Sequence, residues 1–298
     1  MKSMRRAYLF LLFVILLWAA TPLLVTELAK SLPAFEITFL ATGFAVLVLT
    51  ALVSARQLWP RYRTYGRRDL LTMALMGASG IFPYTTLYYL AFTLAPAAAG
   101  EINIINYLWP VWILILSPLL LAERLTARKL AGIALSFCGV YVIVSGGSFI
   151  RFDAAYWPAY ASAGCGAFFW GLFSTLGKRV RFELLTAMLV YNLAAFVCFG
   201  ALCVTAVRFV VPSPREWLLL ACLGGLVNGA GYFFWLLSLR LGDTAKISSA
   251  VYLTPFVALV YLAAFGRGNI TWVQITALVL ILAGPLIQKR AAAEADKH

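Results

Sequence analysis

Long apolar runs separated by short polar segments occupy nearly the whole chain. A helix needs about 20 mostly apolar residues to cross the hydrocarbon core of a bilayer. The first run continues through Trp18 and Pro22 without a small-x-small cleavage site, so we expect it to be retained and not removed as a signal peptide. The pattern predicts an all-α polytopic membrane protein. Its ten predicted spans lie at roughly residues 7–29, 33–53, 69–94, 97–121, 127–146, 155–177, 183–205, 215–240, 244–264 and 270–288.

The composition agrees with a membrane protein and excludes a large soluble catalytic domain. Of the 298 residues, 63% are hydrophobic and 12% are charged, and the mean hydropathy is +0.91. Soluble proteins carry about twice that share of charged residues. A chain this apolar cannot cover its own surface with polar side chains, so its main solvent is lipid. We therefore expect its activity to reside within the bilayer or at its two faces.

The basic residues are divided unevenly between alternate predicted loops. The chain has 24 Lys and Arg against 11 Asp and Glu. Cytoplasmic loops of membrane proteins carry such an excess, where it meets anionic lipid head groups, so we predict no nucleic-acid partner. Most of these cations share the side of the amino terminus, which predicts that both termini lie in the cytoplasm. The exceptions on the other side are Lys30, Arg151, Arg208, Arg215 and Arg267.

The two halves of the sequence are related to each other. A shift of 145 residues places Tyr107 on Tyr252 and Pro110 on Pro255. Each half contains five predicted spans, and because five is odd the second half must enter the membrane from the opposite side. Inverted repeats of this kind are typical of transporters. The predicted units are residues 1–147 and 148–298.

Polar residues recur at helical spacing inside two matched spans. In the fourth span Asn103, Tyr107 and Pro110 lie at i, i+4 and i+7, so they share one helix face. Polar side chains in hydrocarbon need a partner, which is either a neighbouring helix or a water-filled cavity. Their recurrence in both halves favours a shared central cavity, and the prolines permit the helices to bend. The ninth span repeats the pattern with Ser248, Tyr252 and Pro255.

Several aromatic residues lie near the middle of the predicted spans and not at the membrane interface. An aromatic-lined cavity would favour flat or amphipathic solutes through stacking and through the ring quadrupole. The alternative is that these side chains fill core or lipid-facing space. The mid-span aromatic residues are Trp18, Tyr84, Tyr88, Trp109, Trp112, Trp170, Tyr232 and Trp235.

Charged residues are scarce within the spans. Glu101 lies about one turn into the fourth span, and the repeat matches it with Lys246 at the start of the ninth. Either residue could bind a charged group of the substrate or act as a gate, and the alternative is a solvated charge at a helix end. No span carries a chain of acids in mid-bilayer, so the sequence does not support coupling to protons through a conspicuous relay.

Residues that perform catalysis or bind metals are scarce as well. The sole histidine is His298, the last residue, which removes any histidine-based triad or metal site. The five cysteines lie in apolar runs and show no C-x-x-C spacing. The sequence therefore predicts no metal, no cofactor and no enzymatic activity.

The end of the fourth span carries a motif that points to a family. Ala122-Glu123-Arg124-Leu125-Thr126 leads into Gly132 and then Gly139-Val140. This order of a small residue, Glu, a Leu-Thr pair and a Gly-rich span resembles the EamA type of the drug/metabolite transporter superfamily. The second half departs from the pattern, because Gly268-Asn269-Ile270-Thr271 lacks the acid. Within the superfamily the chain is most similar to the bacterial exporters of aromatic amino acids.

This resemblance implies ten helices, with a cavity formed by the first, third and fourth spans and by their counterparts, the sixth, eighth and ninth. It also implies export of amino acids, preferentially aromatic or apolar ones, by alternating access. Two alternatives stay open, namely a transporter of the same fold for amphipathic drugs or other metabolites, and a lipid-modifying membrane enzyme. The candidate binding residues are Trp18, Tyr84, Tyr88, Asn103, Tyr107, Trp170, Tyr232, Ser248 and Tyr252.

Overall fold

The computed structural model describes residues 2–206, 208–266 and 270–295, which form helices and loops with no β-strand. Arg267, Gly268, Asn269 and His298, which entered the sequence analysis, lie outside the described residues. Eight of the ten long helices in the described part are long and apolar enough to cross a membrane, so the protein is an all-α, multi-pass membrane protein. The ten helices are α1 (Ser3–Leu28), α2 (Ala34–Ala55), α3 (Arg67–Leu94), α4 (Pro96–Leu121), α5 (Ala127–Ser145), α6 (Trp157–Arg179), α7 (Leu184–Ala206), α8 (Pro214–Leu241), α9 (Thr244–Ala264) and α10 (Trp272–Ala295).

The other two helices, α6 and α10, differ from the eight for separate reasons. α6 is rich in small and weakly polar residues, and Ala163, Gly166 and Ser174 are among those buried against its neighbours. It packs on α3 and α4, so few of its side chains face lipid and close packing of small residues holds it in place. In α10 the apolar stretch, Trp272–Gln288, is slightly shorter than a full span.

Successive helices run in opposite directions because short loops join them. The odd-numbered helices begin at the face that we call the amino-terminal face, and they end at the opposite face. The Ser3 hydroxyl, at the start of α1, donates a hydrogen bond to the carbonyl of Leu241 at the end of α8, over 3.0 Å. Helices α1–α5 and α6–α10 thus form two inverted halves. The boundary between residues 1–147 and 148–298 falls in the loop after α5 and stays a prediction.

Three helices at the centre of the bundle are interrupted midway. The interruptions in α1, α4 and α9 lie within four residues before Pro22, Pro110 and Pro255, respectively. Proline has no N–H to donate to the carbonyl four residues back, and its ring clashes with that carbonyl, so a break at these positions is expected. Interrupted helices bring polar backbone groups to the centre of a membrane protein, where they can line a cavity.

α3 and α8, which are matched between the halves, each contain a wide π-helical segment, at Gly77–Ile81 and Cys222–Ala230. A side chain at Gly77 would collide with the backbone of α7, and one at Gly224 with the backbone of α2. Glycine at these positions therefore permits close helix contact. As a result α2 and α7 lie close enough to the centre of the bundle to contribute to its cavity.

Candidate functional site

A cavity of about 240 Å³ lies at the centre of the bundle. Its walls come from α1–α4 of the first half and from α6–α9 of the second. The described residues of α5 and α10, which pack on each other, contribute nothing to its lining. None of the described residues that line it is an Asp, Glu, Lys, Arg or His. The site is therefore uncharged, and its polar groups are hydroxyls, amides and backbone.

Eight of the nine binding residues expected from the sequence line this cavity. The ninth, Ser248, has no accessible surface. It lies in α9 about one turn closer to the amino-terminal face than Tyr252, where tight packing keeps it out of the cavity wall. The eight that line the cavity are Trp18, Tyr84, Tyr88, Asn103, Tyr107, Trp170, Tyr232 and Tyr252.

The sequence interpretation did not select three asparagines that line the cavity, Asn106, Asn192 and Asn228. Asn192 lies in α7, a helix that was not expected to contribute at all. The sequence did contain a signal for these asparagines, because an isolated amide within an apolar span must find a hydrogen-bond partner or face a polar cavity.

The charged candidates and the prolines Pro110 and Pro255 do not line the cavity, although Pro22 does. Glu101 and Lys246 are half-buried near the starts of α4 and α9, at opposite faces of the bundle. The backbone N–H of Lys246 donates to the carboxylate of Asp243 over 3.0 Å, in a helix cap. Pro110 and Pro255 are buried beside lining residues, at the breaks of their helices.

Three tryptophans of the cavity wall, Trp18, Trp109 and Trp170, pack together with Trp235, which does not itself line the cavity. The Trp18 ring centroid lies 6.1 Å from those of Trp109 and Trp170. It lies 5.6 Å from that of Trp235, which is fully buried. Edge-to-face and tilted contacts at these distances are favourable. We call these four residues the tryptophan floor, and it separates the cavity from the amino-terminal face.

Tyrosines form the walls above this floor. The rings of Tyr84 and Tyr88 stack with an interplanar angle of 6° and a centroid distance of 6.2 Å. Trp170 lies 4.9 Å from Tyr84 and 4.7 Å from Tyr232, measured between centroids. The Tyr88 hydroxyl donates to the Asn103 Oδ1 over 2.6 Å. The cavity therefore offers ring faces to a solute from both halves of the protein.

One hydrogen bond connects the two halves at matched positions of the repeat. The hydroxyl of Tyr252 in α9 donates to the backbone carbonyl of Tyr107 in α4 over 2.8 Å. The two ring centroids are 6.5 Å apart. This pair fixes α4 against α9 where both helices are interrupted.

A polar cluster ties the halves together at the amino-terminal face, beyond the tryptophan floor. Lys178 Nζ, at the end of α6, donates to Glu123 Oε1 over 2.8 Å, to the carbonyl of Gly242 over 2.9 Å and to Thr244 Oγ1 over 2.7 Å. Thr244 Oγ1 in turn donates to Glu123 Oε1 over 2.7 Å. We call these four residues the Lys178 cluster. It bonds the two halves to each other at that face, whereas the lining residues Val25 and Ile37 bring the cavity to within about one turn of the opposite face.

Two inverted five-helix halves around a shared, uncharged cavity define a membrane transporter. The model of the EamA-like transporter family matches residues 5–145 and 157–287. The chain belongs to this family, which is part of the drug/metabolite transporter superfamily. Because its members and the named relatives are transporters, the protein is a transporter of small molecules and not an enzyme.

Named relatives are similar to the chain over most of its length. The aromatic amino acid exporter YddG of Ancylobacter novellus is 28% identical over 92% of this chain and 93% of its own. The pseudopaline exporter CntI of Pseudomonas aeruginosa is 26% identical over 89% of this chain and 87% of its own. A solved crystal structure superposes with a TM-score of 0.85 at 26% identity, covering 97% of this chain and 98% of that one.

Proposed function

We propose that the protein exports amino acids, preferentially aromatic and apolar ones, across the bacterial inner membrane. The observation that carries this proposal is the uncharged, aromatic-walled cavity shared by the two halves. Ring faces from Tyr84, Tyr88, Trp170 and Tyr232 suit an aromatic side chain by stacking. The name of the Ancylobacter relative, an aromatic amino acid exporter, agrees with this cargo.

The size of the cavity favours one small solute. Its volume of about 240 Å³ lies below the range of roughly 300–1,000 Å³ typical of sites for drug-sized ligands. A single amino acid therefore suits it better than a bulky amphipathic compound. Tyr107 and Tyr252, which are joined across the halves, lie in its wall and we assign them to substrate binding.

The transport cycle that we propose is alternating access. In the structure the cavity faces the side opposite the amino terminus, and the tryptophan floor and the Lys178 cluster close the other side. Export requires a second state in which this closed side opens and the halves rock about the cavity. The prolines Pro110 and Pro255 permit bending of α4 and α9 in that step. Glu101 and Lys246, at opposite faces, stay candidate gating charges.

We assign the amino-terminal face to the cytoplasm, because most of the Lys and Arg residues lie in its loops. The cavity then lies nearer the periplasm than the cytoplasm. Fusions of a reporter that is active only in the cytoplasm, placed at residue 1 and after residue 298, should both be active. An inactive carboxyl-terminal fusion would contradict this topology.

Counterflow in proteoliposomes tests the cargo. Vesicles preloaded with unlabelled phenylalanine or tryptophan should take up the labelled amino acid saturably, and an imposed pH gradient should leave uptake unchanged because no lining side chain carries an acid or base that titrates near neutral pH. Dependence on the gradient would direct attention to Glu101. Absence of counterflow for every amino acid, with folded protein, would refute the proposed cargo.

Two substitutions test the cavity residues. Tyr107→Ala and Tyr252→Ala should each reduce flux by about tenfold or more, because each variant loses a ring that stacks on the solute together with its other contacts. Trp272→Ala removes an aromatic residue from an 82% exposed, lipid-facing position and serves as the control. Flux in the two tyrosine variants equal to that in the control would refute their assignment.

A cargo other than a common amino acid is the second candidate, since the Pseudomonas relative is named as an exporter of pseudopaline. Competition against labelled phenylalanine by a panel of amphipathic drugs and metabolites separates the two. Stronger inhibition by a member of that panel than by any amino acid would favour the second candidate.

A further inference from the structure

The cavity must meet the charges of its cargo without any charged side chain of its own. A free amino acid carries an ammonium and a carboxylate, and neither finds a counter-ion among the described lining residues. Dipoles must therefore replace the water that each group loses on entry, and a charge left without hydrogen bonds there is costly. Which of the two groups is recognised depends on whether acceptors or donors remain free in the walls.

Two buried amide oxygens in the lining have no donor. Asn106 is 6% exposed and Asn192 is 1% exposed, and neither Oδ1 has a hydrogen-bond partner among the described residues. The Asn192 nitrogen is already engaged, since Nδ2 donates to the carbonyl of Met188 over 2.9 Å. Leaving a buried acceptor unpaired costs roughly 1–3 kcal/mol, so native structures usually supply a partner. Both oxygens belong to residues of the cavity wall.

The proline in α4 adds a backbone acceptor to the same residue. Pro110 has no N–H to donate to the carbonyl of Asn106. At two other prolines the freed carbonyl is bonded by the preceding hydroxyl. Ser117 Oγ, before Pro118, donates to the carbonyl of Leu114 over 2.9 Å.

In α9, Thr254 Oγ1, before Pro255, donates to the carbonyl of Val251 over 2.7 Å. Before Pro110 the chain has Trp109, which has no hydroxyl to do the same. The carbonyl of Asn106 thus lacks both its helical donor and a hydroxyl substitute of this kind.

Several donors of the wall are, in contrast, already in use. The Tyr88 hydroxyl donates to Asn103, the Tyr252 hydroxyl to the Tyr107 carbonyl, and the indole N–H of Trp18 to the Val227 carbonyl. Amide and carbonyl oxygens can only accept, whereas the remaining tyrosine hydroxyls can donate or accept. At the two unpaired amide oxygens the wall therefore favours a donor, and the faces of the aromatic rings favour a cation.

We propose that the cavity recognises the ammonium group of its cargo, held by the amide oxygens of Asn106 and Asn192 beside the tyrosine and tryptophan rings. This inference rests on the proposed function. It narrows the substrate class to solutes that have an aromatic or apolar body and a free ammonium group. The carboxylate contributes less to recognition than the ammonium. Compounds that lose the ammonium are rejected, because the two amide oxygens then stay unpaired and desolvated.

Analogues of phenylalanine test this by competition in the counterflow assay. Phenethylamine keeps the ammonium and lacks the carboxylate, whereas N-acetylphenylalanine keeps the carboxylate and lacks the charge. Phenethylamine should inhibit uptake of labelled phenylalanine at concentrations similar to those of phenylalanine, and N-acetylphenylalanine should need at least about tenfold more, given the strength of hydrogen bonds from a charged donor. Equal inhibition by the two, or stronger inhibition by N-acetylphenylalanine, would overturn the proposal.

Variants link the effect to the two oxygens. Asn106→Leu and Asn192→Leu should each raise the half-maximal concentration of phenethylamine about tenfold. Asn106→Asp keeps the acceptors and should retain or strengthen phenethylamine binding, which a purely structural role for Asn106 would not do. Thr85→Val removes a lining hydroxyl that is already bonded to the Ile81 carbonyl, so it should leave the preference for phenethylamine over N-acetylphenylalanine unchanged.

A direct binding readout separates this inference from the proposed cargo. Tryptophan fluorescence of the purified protein reports the cavity because Trp18, Trp109 and Trp170 line it. If phenylalanine shows no counterflow but phenethylamine still changes the fluorescence, and Asn106→Leu weakens that change, the cargo is wrong and the ammonium site stands. If neither phenethylamine nor phenylalanine changes the fluorescence of folded protein, the ammonium site is refuted.

Discussion

The matched helices α4 and α9 carry the same sequence pattern in different surroundings. Asn103 and Tyr107 of α4 both line the cavity, and Asn103 retains some accessible surface. In α9 Tyr252 lines the cavity with its hydroxyl bonded to α4, and Ser248 is fully buried. Both polar residues of the repeated pattern therefore line the cavity in α4, whereas in α9 one lines it and the other is packed among its neighbours.

The starts of α4 and α9 also differ, and the start of α9 has more side-chain hydrogen bonds. α9 begins with Asp243 capping its first turn, and Thr244 belongs to the Lys178 cluster. The repeat matches Thr244 with Ala99, near the start of α4, where no side-chain cap is formed. α9 thus has a side-chain cap at its start and a hydroxyl bonded to the carbonyl that Pro255 frees, whereas α4 has no such cap and no such hydroxyl before Pro110. Under the proposed function, this difference assigns solute binding mainly to α4 and closure of the amino-terminal face mainly to α9.

The largest effect should come from releasing the start of α9. Lys178→Met removes three hydrogen bonds and leaves the Glu123 carboxylate without its cation. The effect should be large because the lysine side chain is only 16% exposed. We expect the free energy of unfolding to fall by about 3 kcal/mol, measured by chemical unfolding in micelles. Lys30→Met on the opposite face is the control, because that lysine is 62% exposed and should contribute less than about 1 kcal/mol. Similar losses in both variants would contradict a special role for the cluster.

The Lys178 cluster also marks the limit of what the sequence could predict. The ten spans and the aromatic walls follow from apolar runs and from helical spacing, which are local properties. Lys178 and Glu123 are 55 residues apart and Thr244 is a further 66 from Lys178, so their contact depends on the packing of three helices. The burial of Ser248 and the place of Asn192 in the wall depend on the same packing, and for that reason neither could be read from spacing alone.

Exchange of the matched residues sharpens the comparison between the two helices. Ser248→Asn forces a larger side chain into a fully buried position and should cost about 2 kcal/mol of unfolding free energy. Asn103→Ser removes the acceptor of the Tyr88 hydroxyl at a half-buried position and should cost about 1 kcal/mol. Ser248→Ala, the control for packing, should be nearly neutral, since that hydroxyl has no partner among the described residues. A larger loss in Asn103→Ser than in Ser248→Asn would reverse our reading of the two surroundings.

The hydroxyl of Thr254 provides the next test. Thr254→Val removes the buried hydroxyl bond to the Val251 carbonyl and leaves the backbone N–H of residue 254 as its donor, and we expect a loss of about 1.5 kcal/mol in unfolding free energy. Thr93→Val is the matched control, because Thr93 Oγ1 also donates to a helix carbonyl, that of Tyr89, but at an exposed position where no proline has removed the backbone donor. That control should change the free energy by less than about 0.5 kcal/mol. Equal losses would show that the hydroxyl before Pro255 does not substitute for the missing N–H.

The smallest effect concerns the bond between the helices themselves. Tyr252→Phe removes the 2.8 Å hydrogen bond to the Tyr107 carbonyl and keeps the ring, so the free energy of unfolding should fall by about 1 kcal/mol. Tyr107→Phe is the control that the repeat provides, because the Tyr107 hydroxyl has no hydrogen-bond partner among the residues that the structure describes. It should leave stability unchanged within about 0.5 kcal/mol and act on transport alone. A stability loss in Tyr107→Phe equal to that in Tyr252→Phe would mean that both copies hold the bundle together, and the division between a binding helix and a closing helix would fail.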